Sequence, residues 1–270
     1  MRYKAIFLIL ALTLCATLIL LAPALTARAD VDFSDHERQL MTLVNQARWD
    51  NGQLPPLKAS QNLTDAARYH SQDMRDDDYF GHDSYNRVGG ELVFERYWNE
   101  RVQLYYSGSG ALGENIAAGF STPTLVMDVW MSSGDHRDII LGTDYREIGI
   151  GYAAGGSWGH YWTQDFGSRS DVYPVVINRE AYLTFNRTVS LYVYGQGWAT
   201  EMRFSNDGTN WSAWEPYSAN KIWTLSEGEG TKTVYAEIKN GGGTVLSASD
   251  DIIFQEPAST IHLPLVVKNY

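Results

Sequence analysis

An apolar run from Ala5 to about Leu25 holds the chain's single cysteine, Cys15. Nothing downstream of it can be joined by a disulfide, so whatever folds there must close on burial alone. Arg2 and Lys4 precede the run, Pro23 interrupts it, and Ala27-Arg28-Ala29 supplies the small-x-small pattern that a signal peptidase cuts. The expected product is an exported chain, with residues 1–29 as its signal peptide. The rival reading is an uncleaved anchor, since the run approaches the roughly 20 apolar residues of a bilayer span. Leu14, just ahead of Cys15, is too large for the position preceding a lipid-bearing cysteine.

Cleavage after Ala29 leaves 241 of the 270 residues. That is enough to bury a sizeable core, and it suits two domains better than one. Losing Arg2, Lys4 and Arg28 takes the formal charge from −11 to −14. No cluster of Lys and Arg offsets it, so nucleic acid and anionic membranes are poor partners.

The pattern changes once along the chain. Ser34-Asp35-His36-Glu37 reads as a capping box, in which serine oxygen and glutamate each satisfy a free N–H at a helix start. Leu40, Leu43, Val44 and Ala47 then recur at helical spacing up to Asn51-Gly52. A second helix carries Leu63, Ala66, Ala67, His70 and Met74 on one face. The stretch around Val93, Phe94, Tyr97 and Trp98 is expected to be a third, and Thr124–Met131 a fourth with Leu125, Val126, Val129 and Trp130 for the core. Ile148, Ile150 and Tyr152 then alternate with glycines, and Tyr161–Phe166 has aromatic strand character. Helices followed by strands over about 140 residues predict an α+β domain.

From Val172 onward the texture is all β. Thr188–Tyr194 and Thr233–Lys239 alternate cleanly, and Asn206-Asp207-Gly208 and Asn240-Gly241-Gly242-Gly243 supply turns. A small immunoglobulin-like sandwich is expected over 179–256, after a linker at 171–178 and before a tail at 257–270. Trp198, Trp211, Trp214 and Trp223 are numerous for so small a domain. They are read as packing, with sugar stacking as the alternative.

Phe80-Gly81-His82, Gly113-Glu114-Asn115-Ile116-Ala117, Asp135-His136-Arg137 and Tyr161-Trp162-Thr163-Gln164-Asp165-Phe166-Gly167 occur in this order. Together they resemble the CAP superfamily of secreted proteins, in its bacterial, cysteine-free branch. The resemblance covers roughly residues 33–168, within a domain expected at 30–170, and implies an α-β-α sandwich. It also implies a cleft lined by His82, Glu114 and His136. Such a set suits a divalent ion such as zinc, with a position left open, or general acid–base work. The intervals of 32 and 22 residues match no local metal motif, so the convergence is implied by resemblance alone. The family's second cleft glutamate falls on Ser133 here, where Asp135 or Glu147 could substitute. His160 is a further candidate at the rim. His70 reads as a core histidine. No role is assigned to His36, in a solvent-facing first turn, or to His262 in the tail.

The function expected on these grounds is a secreted or cell-surface protein. Its cleft would hold a small extracellular ligand (lipid, peptide or metal ion), with the β domain as spacer or attachment module. An extracellular hydrolase acting on peptide or cell-wall material is one alternative. Ser84 near His82 or Ser133 near His136 would be its nucleophile, although neither lies in a nucleophile elbow. Carbohydrate-binding adhesion is the other. A cleft alone does not establish a reaction.

Overall fold

The computed structural model describes residues 31–108 and 110–257. The expected signal peptide lies outside them, as does all but the first residue of the expected tail, His262 included. Among the described residues, no helix is long and apolar enough to cross a membrane.

Residues 31–167 contain α1 (Asp35–Asp50), β1 (Lys58–Ala59), α2 (Gln61–Asp76), β2 (Ser84–Val88), β3 (Glu91–Arg96), α3 (Trp98–Tyr105), β4 (Leu112–Ala118), α4 (Pro123–Ser132), α5 (Gly134–Ile140), β5 (Glu147–Ala154) and β6 (His160–Gly167). The capping box forms as expected. Ser34 N donates to Glu37 Oε2 at 2.8 Å, Glu37 N donates to Ser34 Oγ at 3.4 Å, and Asn51 ends the helix. Four strands make one sheet in the order β1-β5-β6-β4. Among the described residues β4 is therefore an edge strand, paired only on its β6 side.

Helices cover both faces of that sheet. Leu40 and Val44 of α1 and Val126 and Trp130 of α4 pack on Ile148, Ile150, Trp162 and Phe166. On the opposite face, Met74 packs with Ile116 and Tyr161, while Leu63 packs with Val102 and Tyr106 at the end of α3. Ile148-Gly149-Ile150-Gly151 explains how both layers fit. The two isoleucines fill one face, and the two glycines let the α2 backbone lie directly on the other. A Cβ on Gly149 would stand 2.0 Å from the Leu63 carbonyl carbon, and one on Gly151 would stand 2.2 Å from that of Ala67. The fold is the expected α+β sandwich.

Two expectations within this part are corrected. Val93 and Phe94 lie on β3, an antiparallel hairpin partner of β2, and the helix starts only at Trp98. Tyr85 meets Phe94 edge-on at 5.9 Å, a cross-strand aromatic contact that a helix could not make. Leu125 and Val129 are exposed, because α4 turns Val126, Met127 and Trp130 inward.

The second part is built from β7 (Val175–Ile177), β8 (Leu183–Thr184), β9 (Thr188–Val193), β10 (Glu201–Ser205), β11 (Glu215–Pro216), β12 (Asn220–Thr224), β13 (Gly230–Lys239) and β14 (Val245–Phe254). They form a sheet β11-β10-β13-β14-β8 and a sheet β12-β9-β7. Val189, Leu191 and Val193 from one sheet share a core with Val234, Ala236 and Ile238 from the other. The stretch expected as linker contains β7, because Val175 and Ile177 are buried in that core. The four tryptophans are each partly buried. Trp198 stacks on Tyr173 at 5.1 Å, Trp223 packs against Phe204 at 5.5 Å, and Arg203 lies over both Trp211 and Trp214 at 4.9 and 4.6 Å.

The two parts are joined by polar contacts. Lys58 pairs with Glu180 at 2.8 Å and with Asp250. Tyr194 Oη donates to Pro56 O at 3.0 Å, and Asn45 Nδ2 donates to Arg179 O at 3.1 Å.

Candidate functional site

His82 lies in the short connection between α2 and β2. That connection is held at several points. His70, wholly buried, bonds Gly81 O through Nε2 at 2.9 Å. Burial pushes the His70 imidazole down to about 3, so it is neutral and donates through Nε2. Asp83 Oδ1 accepts from Trp98 N at the start of α3. Arg101 Nη1 donates to His82 O at 2.8 Å and to Ser84 Oγ at 3.1 Å.

Glu114 faces this connection from the edge strand β4. Its Oε1 lies 2.8 Å from His82 Nδ1, and its Oε2 pairs with Arg101 Nη2. The glutamate and arginine side chains are 1% and 0% exposed, whereas the His82 side chain is 49% exposed. Burial works against ionising Glu114, but the His82 hydrogen bond and the Arg101 charge outweigh it and hold its pKa below the usual range. An ionised Glu114 accepts from His82, which fixes Nδ1 as a proton-bearing nitrogen.

His136 comes from α5, on the other side of β4. Its backbone oxygen accepts from Asn115 Nδ2 at 3.2 Å, which ties α5 to the edge strand. Its Nδ1 is buried with no hydrogen-bond partner. Burial, and then the charge of His82, push its pKa down. Glu114 and Asn115 are neighbours on β4, so the elements that carry His82 and His136 meet that strand from opposite faces.

The other candidates fall elsewhere or stay peripheral. Glu147 is buried at the start of β5, bound by Tyr106 Oη at 2.6 Å and by Arg169 at 2.6 and 2.9 Å, so its carboxylate is fully used. His160 Nδ1 bonds Tyr152 Oη at 2.7 Å. Tyr152 also stacks on His36 at 4.5 Å, so His36 belongs to an aromatic cluster and not to an open first turn. Ser84 is buried against Arg101, and Asp135 is exposed. Ser133 joins α4 to α5 as the cap between them, three residues before His136.

Two participants are not singled out as site residues in the sequence, although Asp165 lies within the Tyr161–Gly167 motif. Arg101 is one cation on an ordinary amphipathic helix, with its meaning set only by Glu114. Asp165 lies opposite Glu114 in the β4–β6 register. It is wholly buried, neither carboxyl oxygen has a donor, and burial followed by the nearby Glu114 charge pushes its pKa well up. Burial thus works against ionising Asp165, which lies behind Glu114.

A resident zinc ion typically requires three or four protein ligands. Both oxygens of Glu114 are already engaged, which leaves two imidazoles. Among the described residues, no group of three His, Cys, Asp or Glu side chains is placed to hold an ion. The residues present do not fit a tightly held metal.

Residues 41–166 match the cysteine-rich secretory protein family, CAP. Over 141 residues the chain is 36% identical to "Uncharacterized protein YkwD" of Bacillus subtilis (strain 168), covering 52% of this chain and 50% of that protein. It is 30% identical over 130 residues to "Uncharacterized membrane protein YlbC" of the same organism, covering 48% and 34%. The chain thus spans half or less of the curated relatives it matches. Among solved structures, an extracellular protein containing an SCP domain from Bacillus anthracis is similar at 30% identity and TM-score 0.42, covering 50% of this chain and 40% of that one. An outer surface protein from Borrelia burgdorferi is similar at 18% identity and TM-score 0.43, covering 52% and 97%. The sandwich that carries His82, Glu114 and His136 is a CAP domain of the cysteine-rich secretory protein family.

Proposed function

We propose that this CAP domain is an extracellular binding module whose polar centre is the His82–Glu114–His136 edge. One observation carries the reading. The half-exposed imidazole of His82 is held by a buried carboxylate that is itself held by a buried guanidinium. Such a chain fixes one tautomer and one ring orientation before any ligand arrives, which lowers the ordering cost of binding.

The surroundings favour an amphipathic ligand, lipid or peptide. Phe80, two residues before His82, is 48% exposed and lies 6.1 Å from the ring of exposed Trp158. The β2–β3 hairpin, starting two residues after His82, exposes Val88, Val93 and Phe94. A polar head meeting His82 Nε2 and His136, with an apolar part along these side chains, uses both features. Membership of a family described as secretory supports the extracellular setting.

The test is a titration of the full chain with palmitate, and separately with zinc, following the imidazole resonances of His82 and His136. Palmitate is expected to shift both, and Glu114→Gln to abolish the shift while the fold persists. If neither imidazole responds to palmitate, or only zinc moves them, the amphipathic reading fails.

A further inference from the structure

A cleft of about 480 Å³ lies between the CAP domain and the β domain, far along the chain from His82. Trp49, Gln53 and Leu54 contribute one wall, and β7, β9 and the turn after β7 contribute the other. In a chain with 32 acidic and 21 basic residues, no Asp or Glu lines this cleft, and its one charged residue is Arg179. The Arg179 guanidinium lies 4.7 Å from the centre of the Trp49 ring, and no carboxylate among the described residues pairs with it. Trp49 remains 41% exposed.

A second cation stands behind the wall. Arg48 is wholly buried and donates only to the backbone oxygens of Pro55, Ile140 and Gly142, while its Nη2 has no partner. Its neighbours include Tyr192, which lines the cleft. Two guanidinium groups without a carboxylate give the cleft a positive field on a strongly acidic protein.

The rest of the wall has sugar-binding chemistry. Tyr192 and Trp49 offer aromatic surface, and Asn178, Ser190 and Asn220 offer amides and a hydroxyl. Asn178 Oδ1 is taken by Ser190 N and Oγ at 2.9 and 3.1 Å, which leaves its Nδ2 free to donate. The backbone is held in place here as well. Gln53, Asn178 and Arg179 all take positive φ (55°, 44° and 59°), and Glu180 extends the left-handed turn at 64°. Asn45 Nδ2 on Arg179 O and Ala59 N on Glu180 Oε1 pin that turn to the CAP domain. Sparsely populated backbone persists where its surroundings over-determine it, and it clusters at ligand sites.

We propose that this cleft binds an acidic saccharide, its carboxylate on Arg179 and its ring on the aromatic wall. The proposal is independent of the His82 site. The β domain then helps to build a binding site and is more than a spacer.

Titration calorimetry of the full chain with trigalacturonate and with neutral maltotriose tests this. Trigalacturonate is expected to bind about tenfold or more tightly than maltotriose, weakening as salt is raised. Arg179→Gln and Trp49→Leu are each expected to weaken it by about tenfold or more while the melting midpoint holds. Trp49 is a partly exposed helix residue, so its variant remains informative if Arg179→Gln perturbs the turn. Equal affinity for both trisaccharides, unchanged affinity in the Trp49 variant, or no saturable trigalacturonate binding overturns the proposal.

Discussion

His82 Nδ1 and Glu114 Oε1 lie 2.8 Å apart, and the second oxygen of the same carboxylate pairs with Arg101. One buried carboxylate thus joins a half-exposed imidazole on a loop to a guanidinium on α3, across the edge of the sheet. Removing any member costs a buried group one of its partners, and that loss governs the first prediction.

Arg101→Met leaves Glu114 buried with only an imidazole for a partner. A loss of about 3–5 kcal/mol is expected in urea unfolding. The double variant Arg101→Met, Glu114→Gln should recover part of that, because the buried charge is gone. A double variant no more stable than the single one contradicts the pairing.

His70 sets an acid limit on the fold. Its pKa is about 3 in the folded state, against a reference value of 6.5, with burial as the cause. Between those values the unfolded chain binds the extra proton, so stability rises with pH and falls as pH drops below 6.5. Each unit crossed in that window costs up to about 1.4 kcal/mol from this group. His70→Gln should flatten the slope of unfolding free energy between pH 6 and pH 4.

Asp165 acts in the opposite direction. Burial, and then Glu114, raise its folded pKa well above the 3.8 reference. Folding therefore takes up a proton above that value, and the contribution of Asp165 to stability declines as pH rises towards the folded pKa. Asp165→Asn should have a higher melting temperature relative to wild type at pH 7 than at pH 4. A constant offset across that range would mean that Asp165 does not change its proton on folding.

Gly149→Ala would place a Cβ 2.0 Å from the Leu63 carbonyl carbon, against the α2 backbone. Neither element can move without losing the α2 layer, so a loss of about 3 kcal/mol or more is expected in chemical denaturation. Gly134→Ala, where nothing lies within 4 Å, should be neutral or stabilising by up to about 1 kcal/mol.

Lys58→Met leaves the carboxylates of Glu180 and Asp250, 5% and 1% exposed, without their shared cation. The junction between the two domains should weaken by about 3–5 kcal/mol. Calorimetry should then resolve two unfolding transitions where the parent chain gives one.

Much of the scaffold was legible in the order of residues. The capping box at Ser34, the buried stripe of α2, the Ile-Gly alternation of β5 and the period-two stretches of β9 and β13 are local patterns. Each is fixed by backbone geometry within a few residues, and the expected α+β and all-β parts follow from them. Around Val93 and Phe94 local pattern failed, because a short apolar run fits a hairpin strand as well as a helix, and pairing with Tyr85 decided it. On α4 it failed at Leu125 and Val129, because the composition does not say which face the sheet covers.

Resemblance singled out His82, Glu114 and His136 as candidates, and the order of residues does not show what surrounds them. That Glu114 orients His82 instead of standing free depends on Arg101, which lies 13 residues away and carries no motif. That Asp165 resists ionisation depends on burial and on the strand register opposite Glu114, and the cleft at Arg179 depends on how two domains meet. The sequence by itself determined periodicity, caps and turns, since those energies act over one or two turns of chain. Only the tertiary structure decided which charges are buried together, because desolvation and Coulomb energies depend on distance in space and not on distance along the chain.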